Sequence, residues 1–558
     1  MFSVSGTIEL ARNLSFNRSN MTIAGQTAPG GGITIANFRT QIDNASNVIL
    51  QHMRFRPGDT NASTEPDSLW VSNSNGVMID HVTASWSCDE VLSVTHNSNN
   101  VTVQWSMITE PLHFTGHSNG PNHGYSSLIN GGNYTFHHNL YAHGSSRNPR
   151  PQGPTLQLDF VNNVLHNPGF RYGNSESGSS NPSLEAYKMN YVGNYGIDGP
   201  NTTAPSLFHA QNAGSQIYAE GNYRDSNKNG ILDGTPANVP SGTFTALPSR
   251  VDLPEINATS AQQAYVQVLS RAGANFYRDS VDRRIVHSVL NQTGAHIDSQ
   301  NEVGGGPTLP SAPAPVDANG DGGPDDWAGA HGVAISTPLN TTFAPDGYTY
   351  LEKYIHSLTP YSYAPVATEQ VVMPTNYGRG GDAEVREIGG VSSGVNNSVL
   401  TPHFNNSTNN QYALLKFDLG GIEPGSITDA RLEMTAFGNI AGTNVLRVYG
   451  LIHDAAEWDW SESDVEFATA PGLTFDGSST TRGLKTEDVL TLGSWTVTGT
   501  SEGQTASFDN LNLAVFLNLA SYMEGEDQAG IVTLLVENTT VGSNLASFAS
   551  KEATHLSS

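Results

Sequence analysis

Residues 131–153 read GGNYTFHHNLYAHGSSRNPRPQG, and the opening of this stretch decides the architecture. Asn133-Tyr-Thr-Phe is a turn-forming residue followed by a short alternating strand. The phrase returns as Asn20-Met-Thr-Ile, Asn47-Val-Ile-Leu, Gly76-Val-Met-Ile and Asn100-Val-Thr-Val, at intervals of roughly 24 to 33 residues. It continues through Asp159-Phe-Val-Asn-Asn, Asn190-Tyr-Val-Gly-Asn and Tyr218-Ala-Glu-Gly-Asn. A period in this range marks a solenoid. No single strand buries its apolar side alone, so the copies must stack, which predicts a parallel β-helix. Val48, Val77 and Val101 would form an internal ladder, and asparagines at equivalent corners would bond to their counterparts one turn away. The competing arrangement, a β-sandwich, has strands at closer spacing joined by hairpin turns.

The end of the same stretch carries chemistry. A turn puts Arg147 and Arg150 beside a proline that fixes the local backbone, with no acid next to them in sequence. In a chain of net charge −27, two such cations point to an anionic ligand. The excess of 52 acidic over 25 basic residues excludes nucleic acid as a partner, because no broad basic face is available, and suits divalent cations. Low charge (14%) and abundant Gly, Asn, Ser and Thr indicate a β-rich chain. No apolar run approaches the roughly 18 residues of a membrane span. The single Cys88 excludes an intrachain disulfide. The start, MFSVSGTIEL, reads as the middle of a strand with no export signal before it, so a truncated N-terminus is expected.

Beyond residue 240 the period changes. Helices are expected over 261–274 and 280–291, packed on the solenoid, and over 350–358. A Gly/Pro-rich linker precedes Asp317-Ala-Asn-Gly-Asp-Gly, where Asp317, Asn319 and Asp321 match the first half of a calcium loop; Ala328 stands where its last acid is needed, and Asp325 or Asp326 would substitute. From about Val366, strands such as 412–419, 431–436, 446–449 and 531–536 alternate between Gly/Asn/Asp turns, predicting an antiparallel sandwich. The domains are therefore 1–300, 301–365 and 366–558.

Stacking brings equivalent turns together. Glu65 and Asp67 precede one strand, Asp89 and Glu90 the next, and Arg147 and Arg150 a later one. A carboxylate cluster beside a guanidinium pair fits a hard cation, since Ca²⁺ takes several oxygens at once. Such a site suits elimination on a uronic acid, where cations stabilise the charge that develops as the α-proton leaves.

With Asp67-Ser-Leu-Trp-Val, Val77-Met-Ile-Asp-His-Val-Thr-Ala-Ser-Trp and Val101-Thr-Val-Gln-Trp, the stretch 131–153 resembles polysaccharide lyase family 1, the pectate lyase-like right-handed parallel β-helices, over roughly residues 1–300. The resemblance implies that Arg147 is the base at C5, that Glu65, Asp67 and Asp89 bind calcium, and that the protein is secreted or held at the cell surface. Two departures stand out: Ser93 replaces a further calcium acid, so that Glu90 would be recruited, and Gln152 replaces a second arginine, leaving Arg150 for its contact. No lysine occupies the strand before Leu128; His117, His123 and Tyr125 fill an extended loop instead. His123, Tyr125, Arg171 and Lys188 are further candidates for an anionic chain. His81, His137 and His138 read as structural residues of the repeat, sharing positions with His52 and Trp105.

The expectation is an all-β, monomeric, calcium-dependent lyase of a uronate-containing glycan. A glycoside hydrolase on the same solenoid would need flanking carboxylates without the arginine turn, and a non-catalytic glycan-binding β-helix would bind without releasing product. The C-terminal region resembles the DNRLRE-type sandwich through Asn376-Tyr377-Gly378 and Leu415-Lys416-Phe417-Asp418-Leu419, which implies glycan binding through Arg379, Arg386 or Lys416. A spacer or surface-attachment module is the alternative. Tyr412, Trp458 and Trp460 are its candidate core or rim aromatics.

Overall fold

A computed structural model describes residues 1–120, 122–175, 186–238, 240–359, 370–388, 391–396, 399–403, 410–422, 425–452, 460–462, 465–475, 482–520, 530–540 and 545–550. Two compact units are present: Met1–Lys228 with Asp233–Tyr363, and Asn229–Leu232 with Ala364–Ser558. The expected boundary at 365/366 and Trp458 lie outside the described residues.

The first unit is a parallel β-solenoid of three sheets. The first sheet runs from Gly6–Glu9 through Ile33–Ala36 and Met53–Arg56 to Tyr223–Asp225. The second contains six strands: Leu14–Phe16, Thr40–Asp43, Leu69–Ser72, Leu92–Thr95, Leu128–Asn130 and Arg150–Gln152. The third begins at Met21–Ala24 and includes Ser46–Gln51, Asn75–Asp80, Asn99–Gln104 and Asn133–His137. Each of the first six coils, from Gly6 to Val161, contributes one strand to each sheet, and the later coils add none to the second.

The predicted ladder is continuous. Val48 pairs with Val77, Val77 with Val101, and Val101 with Tyr134, then Leu158, Met189 and Ile217 follow in register, all buried. Burial of each such side chain contributes roughly 1.5–3 kcal/mol. At the corner after the third sheet, His52, His81, Trp105, His138 and Asn162 adopt positive φ, which L-residues enter at a cost of roughly 1–3 kcal/mol. Packing offsets it. His52 stacks on His81, His81 on Trp105 and Trp105 on His138, with the last two rings 4.3 Å apart. One residue further on, the Oδ1 atoms of Asn139, Asn163, Asn194 and Asn222 each accept the backbone N–H of the preceding coil at 2.9–3.0 Å. Satisfying a buried N–H in each of these four coils makes this corner specific as well as stable.

Helices Ala261–Arg271 and Ser280–Leu290 form where the periodicity places them, capped by Ser260 and Asp279. Asp279 and Asp282 meet Arg56 of the first sheet at 2.7 Å each, a fully buried ion-pair group that Arg54 joins at 3.2 Å. The Gly/Pro stretch lies along the solenoid: Gly31 donates its N–H to the Pro310 carbonyl at 2.8 Å, and Tyr354 and Ile355 of the helix Tyr350–Ser357 pack with Ala24.

The second unit holds a six-stranded antiparallel sheet, in the order Val391–Asn396, Gly381–Ile388, Gln411–Asp418, Ile531–Asn538, Ile440–Leu451 and Val489–Thr500. It also contains a helix, Leu511–Ala520, that strand-only reading missed; its residues are apolar nearly all round, so no amphipathic period betrays it. Tyr412 and Trp460 are core residues. Three cations expected to meet a glycan are already engaged. Buried Lys416 donates to the Trp460 carbonyl at 2.6 Å, Arg386 pairs with Glu384, and Arg379 lies 3.7 Å from Asp418.

Candidate active site

The turns that lead into the second sheet stack along one side of the first unit. Asp67 precedes Leu69–Ser72, Asp89 and Glu90 precede Leu92–Thr95, Tyr125 precedes Leu128–Asn130, and Arg147 precedes Arg150–Gln152. Backbone bridges join Glu90 to Tyr125 and Tyr125 to Ser146, so these turns keep the register of the strands they feed. Because side chains alternate along a strand, Trp70, Ser93, Leu128 and Arg150 fall in one outward row, and Asn130 and Gln152 in the next. Trp70, Ser93, Leu128, Asn130 and Gln152 floor an open cleft of about 390 Å³, bordered by Arg39, Asp67, Asp89 and Glu90.

Ligand oxygens of Asp67, Asp89 and Glu90 all lie within 4.8 Å of one another. Asp67 is buried, and its Oδ1 finds no hydrogen-bond partner among the described residues. Burial pushes its carboxyl up to about 8; the charge on Asp89 adds to this, while Arg39 and Arg147 oppose it. Burial acts the same way on Asp89, but a hydrogen bond from His123 and the nearby His117 and Arg147 bring it below the ordinary carboxylate range. Hard carboxylate oxygens within reach of one another, one of them a buried orphaned acceptor, are a donor set that fits calcium.

Glu65 does not join that group. Its Oε1 accepts the Ser118 N–H at 2.6 Å, and its Oε2 lies 3.4 Å from His117. The loop between Thr109 and Leu128 accounts for this: it folds back over the acids and takes Glu65 for itself. His117 and His123 stack at 3.7 Å, and both direct Nε2 at Asp89 Oδ1, at 3.5 and 2.9 Å. His117 Nδ1 accepts the Asn119 N–H, and its Nε2 faces the acids without a hydrogen bond among the described residues, so that Asp89, His117 and His123 form a second group of ligand atoms within 4.8 Å of one another.

Arg147, in a left-handed conformation before Pro149, reaches back to pair with Glu90 and lies 4.3 Å over the ring of Tyr125. His123 packs on Tyr125 at 4.2 Å. Arg171 follows one coil beyond Arg147, since Asn148 bonds to the Tyr172 carbonyl, and its Nη1 donates to the Phe170 carbonyl. Lys188 is a correction: it begins a strand of the third sheet and lines a separate hollow with Asn99, Asn133 and Gln157, because Gln157–Val161 and Lys188–Val192 are third-sheet neighbours.

Asp317, Asp321 and Asp325 likewise do not converge as ligands. Their carboxylates cap turns instead: Asp317 accepts from Gly320 and Gly322 at 2.8 Å, Asp321 from Leu339 at 2.7 Å, and Asp325 faces the Ala318 N–H while opening the helix Asp325–Ala330. Asn319 spends its amide on Asp321 and the Ile335 carbonyl. Two residues that sequence reasoning passed over border the cleft, Arg39 and His96. For Arg39 the available signal was its place at the head of Thr40–Asp43, one coil before Asp67.

A family model described as pectate lyase matches residues 9–275. A probable pectate lyase C of Aspergillus flavus is 34% identical over 370 residues, covering 65% of this chain and 84% of that protein; the Aspergillus oryzae counterpart gives the same figures. Among solved structures, a pectate lyase from Bacillus sp. N165 in complex with trigalacturonate aligns over 48% of this chain and 84% of its own, at 16% identity and a TM-score of 0.33.

Proposed function

The chain belongs to the pectate lyase family, and from that premise we propose that it is a secreted or cell-surface, calcium-dependent lyase that cleaves pectate by β-elimination. The convergence of Asp67, Asp89 and Glu90 beside the Arg147 guanidinium is the observation that carries this reading. No helix among the described residues is long and apolar enough to cross a membrane.

Elimination removes the proton at C5 of a uronate, α to its carboxylate. The electron pair forms the C4–C5 double bond, and the C4–O bond breaks, with the leaving oxygen taking a proton from solvent. Calcium held by Asp67, Asp89 and Glu90 would supply positive charge next to that carboxylate, where negative charge builds up. On this reading Arg147 receives the C5 proton, as the family resemblance implies. An arginine resting on a carboxylate keeps its proton, so this duty requires Glu90 to release it. Arg150 and Arg171, one strand and one coil along, suit neighbouring carboxylates of the chain, and Gln152 and Tyr125 border the same path. His123 works through Asp89.

The division into a lyase domain over 1–300, a connecting segment over 301–365 and an appended carbohydrate-binding domain over 366–558 is part of the same proposal. Retention of the full chain, but not of a chain ending near 365, on immobilised pectin or alginate tests the last piece. The reaction itself is tested by incubating the protein with polygalacturonate, pectin and alginate, with and without chelator. Ultraviolet absorbance of a 4,5-unsaturated product on polygalacturonate supports the reading, and products without a double bond overturn it.

A further inference from the structure

Two guanidinium groups flank the acid cluster of the cleft, and only Arg147 is accounted for by the reaction. The other belongs to Arg39. It leads into the strand Thr40–Asp43, four strand spacings from the strand that Arg147 feeds, which is about 19 Å along the solenoid. Their tips lean toward each other. Arg39 Nη2 lies 3.7 Å from Asp67 Oδ1, at the end of the cluster opposite the Arg147–Glu90 pair.

Arg39 faces Asp67 as an ion-pair partner but is not hydrogen-bonded to it. At 3.7 Å the contact is longer than a hydrogen bond, and Asp67 Oδ1 has no hydrogen-bond partner among the described residues. What fixes the guanidinium is the Glu65 carbonyl, bonded to Nη2 at 2.9 Å, and the ring of Trp70, 5.2 Å beneath it. Trp70 is itself immobilised, its indole N–H donating to Thr95 Oγ1 at 2.8 Å and its edge meeting His96. Arg39 Nε is buried and finds no partner among the described residues, while the side chain as a whole remains one-fifth exposed, on the cleft. A planar fork pre-set on an aromatic ring, with donors to spare, is how carboxylates are recognised.

We propose that Arg39 binds the carboxylate of a uronate unit at a further subsite on the Asp67 side of the cleft, and that Trp70 is the positioning residue that holds it. The substrate chain therefore crosses the acid cluster and extends at least as far as the coil of Arg39. This rests on the lyase reading for the identity of the ligand, a polyuronate, but not on the role of Arg147.

The test measures hexagalacturonate binding by calorimetry, in calcium, to the full chain carrying Arg147→Ala, with and without Arg39→Ala. It is joined by steady-state kinetics of Arg39→Ala, Arg39→Lys, Trp70→Ala and Trp70→Phe on polygalacturonate. Arg39→Ala is expected to weaken hexamer binding at least tenfold and to raise KM by a similar factor while kcat moves less than threefold. Lysine, lacking the fork, should recover only part of the loss, and Trp70→Phe should recover more than Trp70→Ala. Hexamer affinity within twofold of the parent overturns the proposal. So does weakening matched by an equal loss of calcium affinity measured without sugar, which would make Arg39 a mere support for Asp67. Hexamer binding that depends on Arg39 in a protein whose unaltered form yields no unsaturated product would refute the lyase reading and leave the subsite standing.

Discussion

Arg147 reaches back across the turn that carries Tyr125 and pairs with Glu90, so the base candidate and one of the three converging acids hold each other. Glu90 is thus shared between two duties, and its removal separates them. Glu90→Gln should lower calcium affinity about tenfold and reduce kcat as well, whereas Arg147→Ala should leave calcium binding nearly intact and lower kcat by roughly 10²–10⁴-fold. Calorimetry with calcium alone, set beside absorbance kinetics, tells the two apart; equal effects on both quantities from both variants would contradict the division.

His123 directs Nε2 at Asp89 Oδ1 from 2.9 Å. Its replacement by Ala should cost roughly 10–100-fold in calcium affinity, the usual price of losing an orienting neighbour, with KM at saturating calcium little changed. An unaltered calcium titration would show that Asp89 is held well enough without it.

Acid should destabilise the solenoid in a defined window. Burial, with the neighbouring His81 adding, holds His52 down to about 3, and burial holds His137 and His166 down to about 4, against 6.5 when exposed. Between those values the unfolded chain binds the protons and the folded chain does not. Stability from these rings is therefore complete above about pH 6.5 and lost as pH falls toward 4, on the order of 1–3 kcal/mol for each. Urea midpoints measured from pH 7.5 to 4.5 should fall steadily below 6.5, and a flat profile would contradict the assignment.

The helix Ser280–Leu290 is fastened by charge. Asp279→Ala strips Arg56 of a fully buried partner and should cost about 3–5 kcal/mol, while Lys353→Ala, which breaks a solvent-exposed pair with Asp346, should leave stability essentially unchanged. Comparable losses in chemical denaturation would refute this ranking.

Much of this was legible in the chain. Valines at 48, 77 and 101 announce a stack because an apolar residue at a fixed phase must meet its copy, and the corner asparagines follow from the same phase. Asp67 and Asp89 could be placed together for that reason. Glu65 could not be set aside, because its diversion depends on a loop that breaks the period and returns Ser118 to it. Lys188 was assigned to the cleft although its strand lies in another sheet, a distinction that only the closed coil reveals. Arg39 escaped notice because it carries no motif, and its meaning comes from Trp70 one coil away. In the second unit, Lys416 reads as a surface cation in the alternating pattern, yet the Trp460 carbonyl draws it inside.

One assay decides the central claim that the acids and the arginine turn work on a single uronate. The unaltered chain, supplied with calcium and polygalacturonate, should generate ultraviolet absorbance from unsaturated ends, stop on chelation, resume when calcium is restored, and show only background in Arg147→Ala of unchanged circular dichroism. Undiminished product formation by Arg147→Ala, or by the chelated protein, would contradict it.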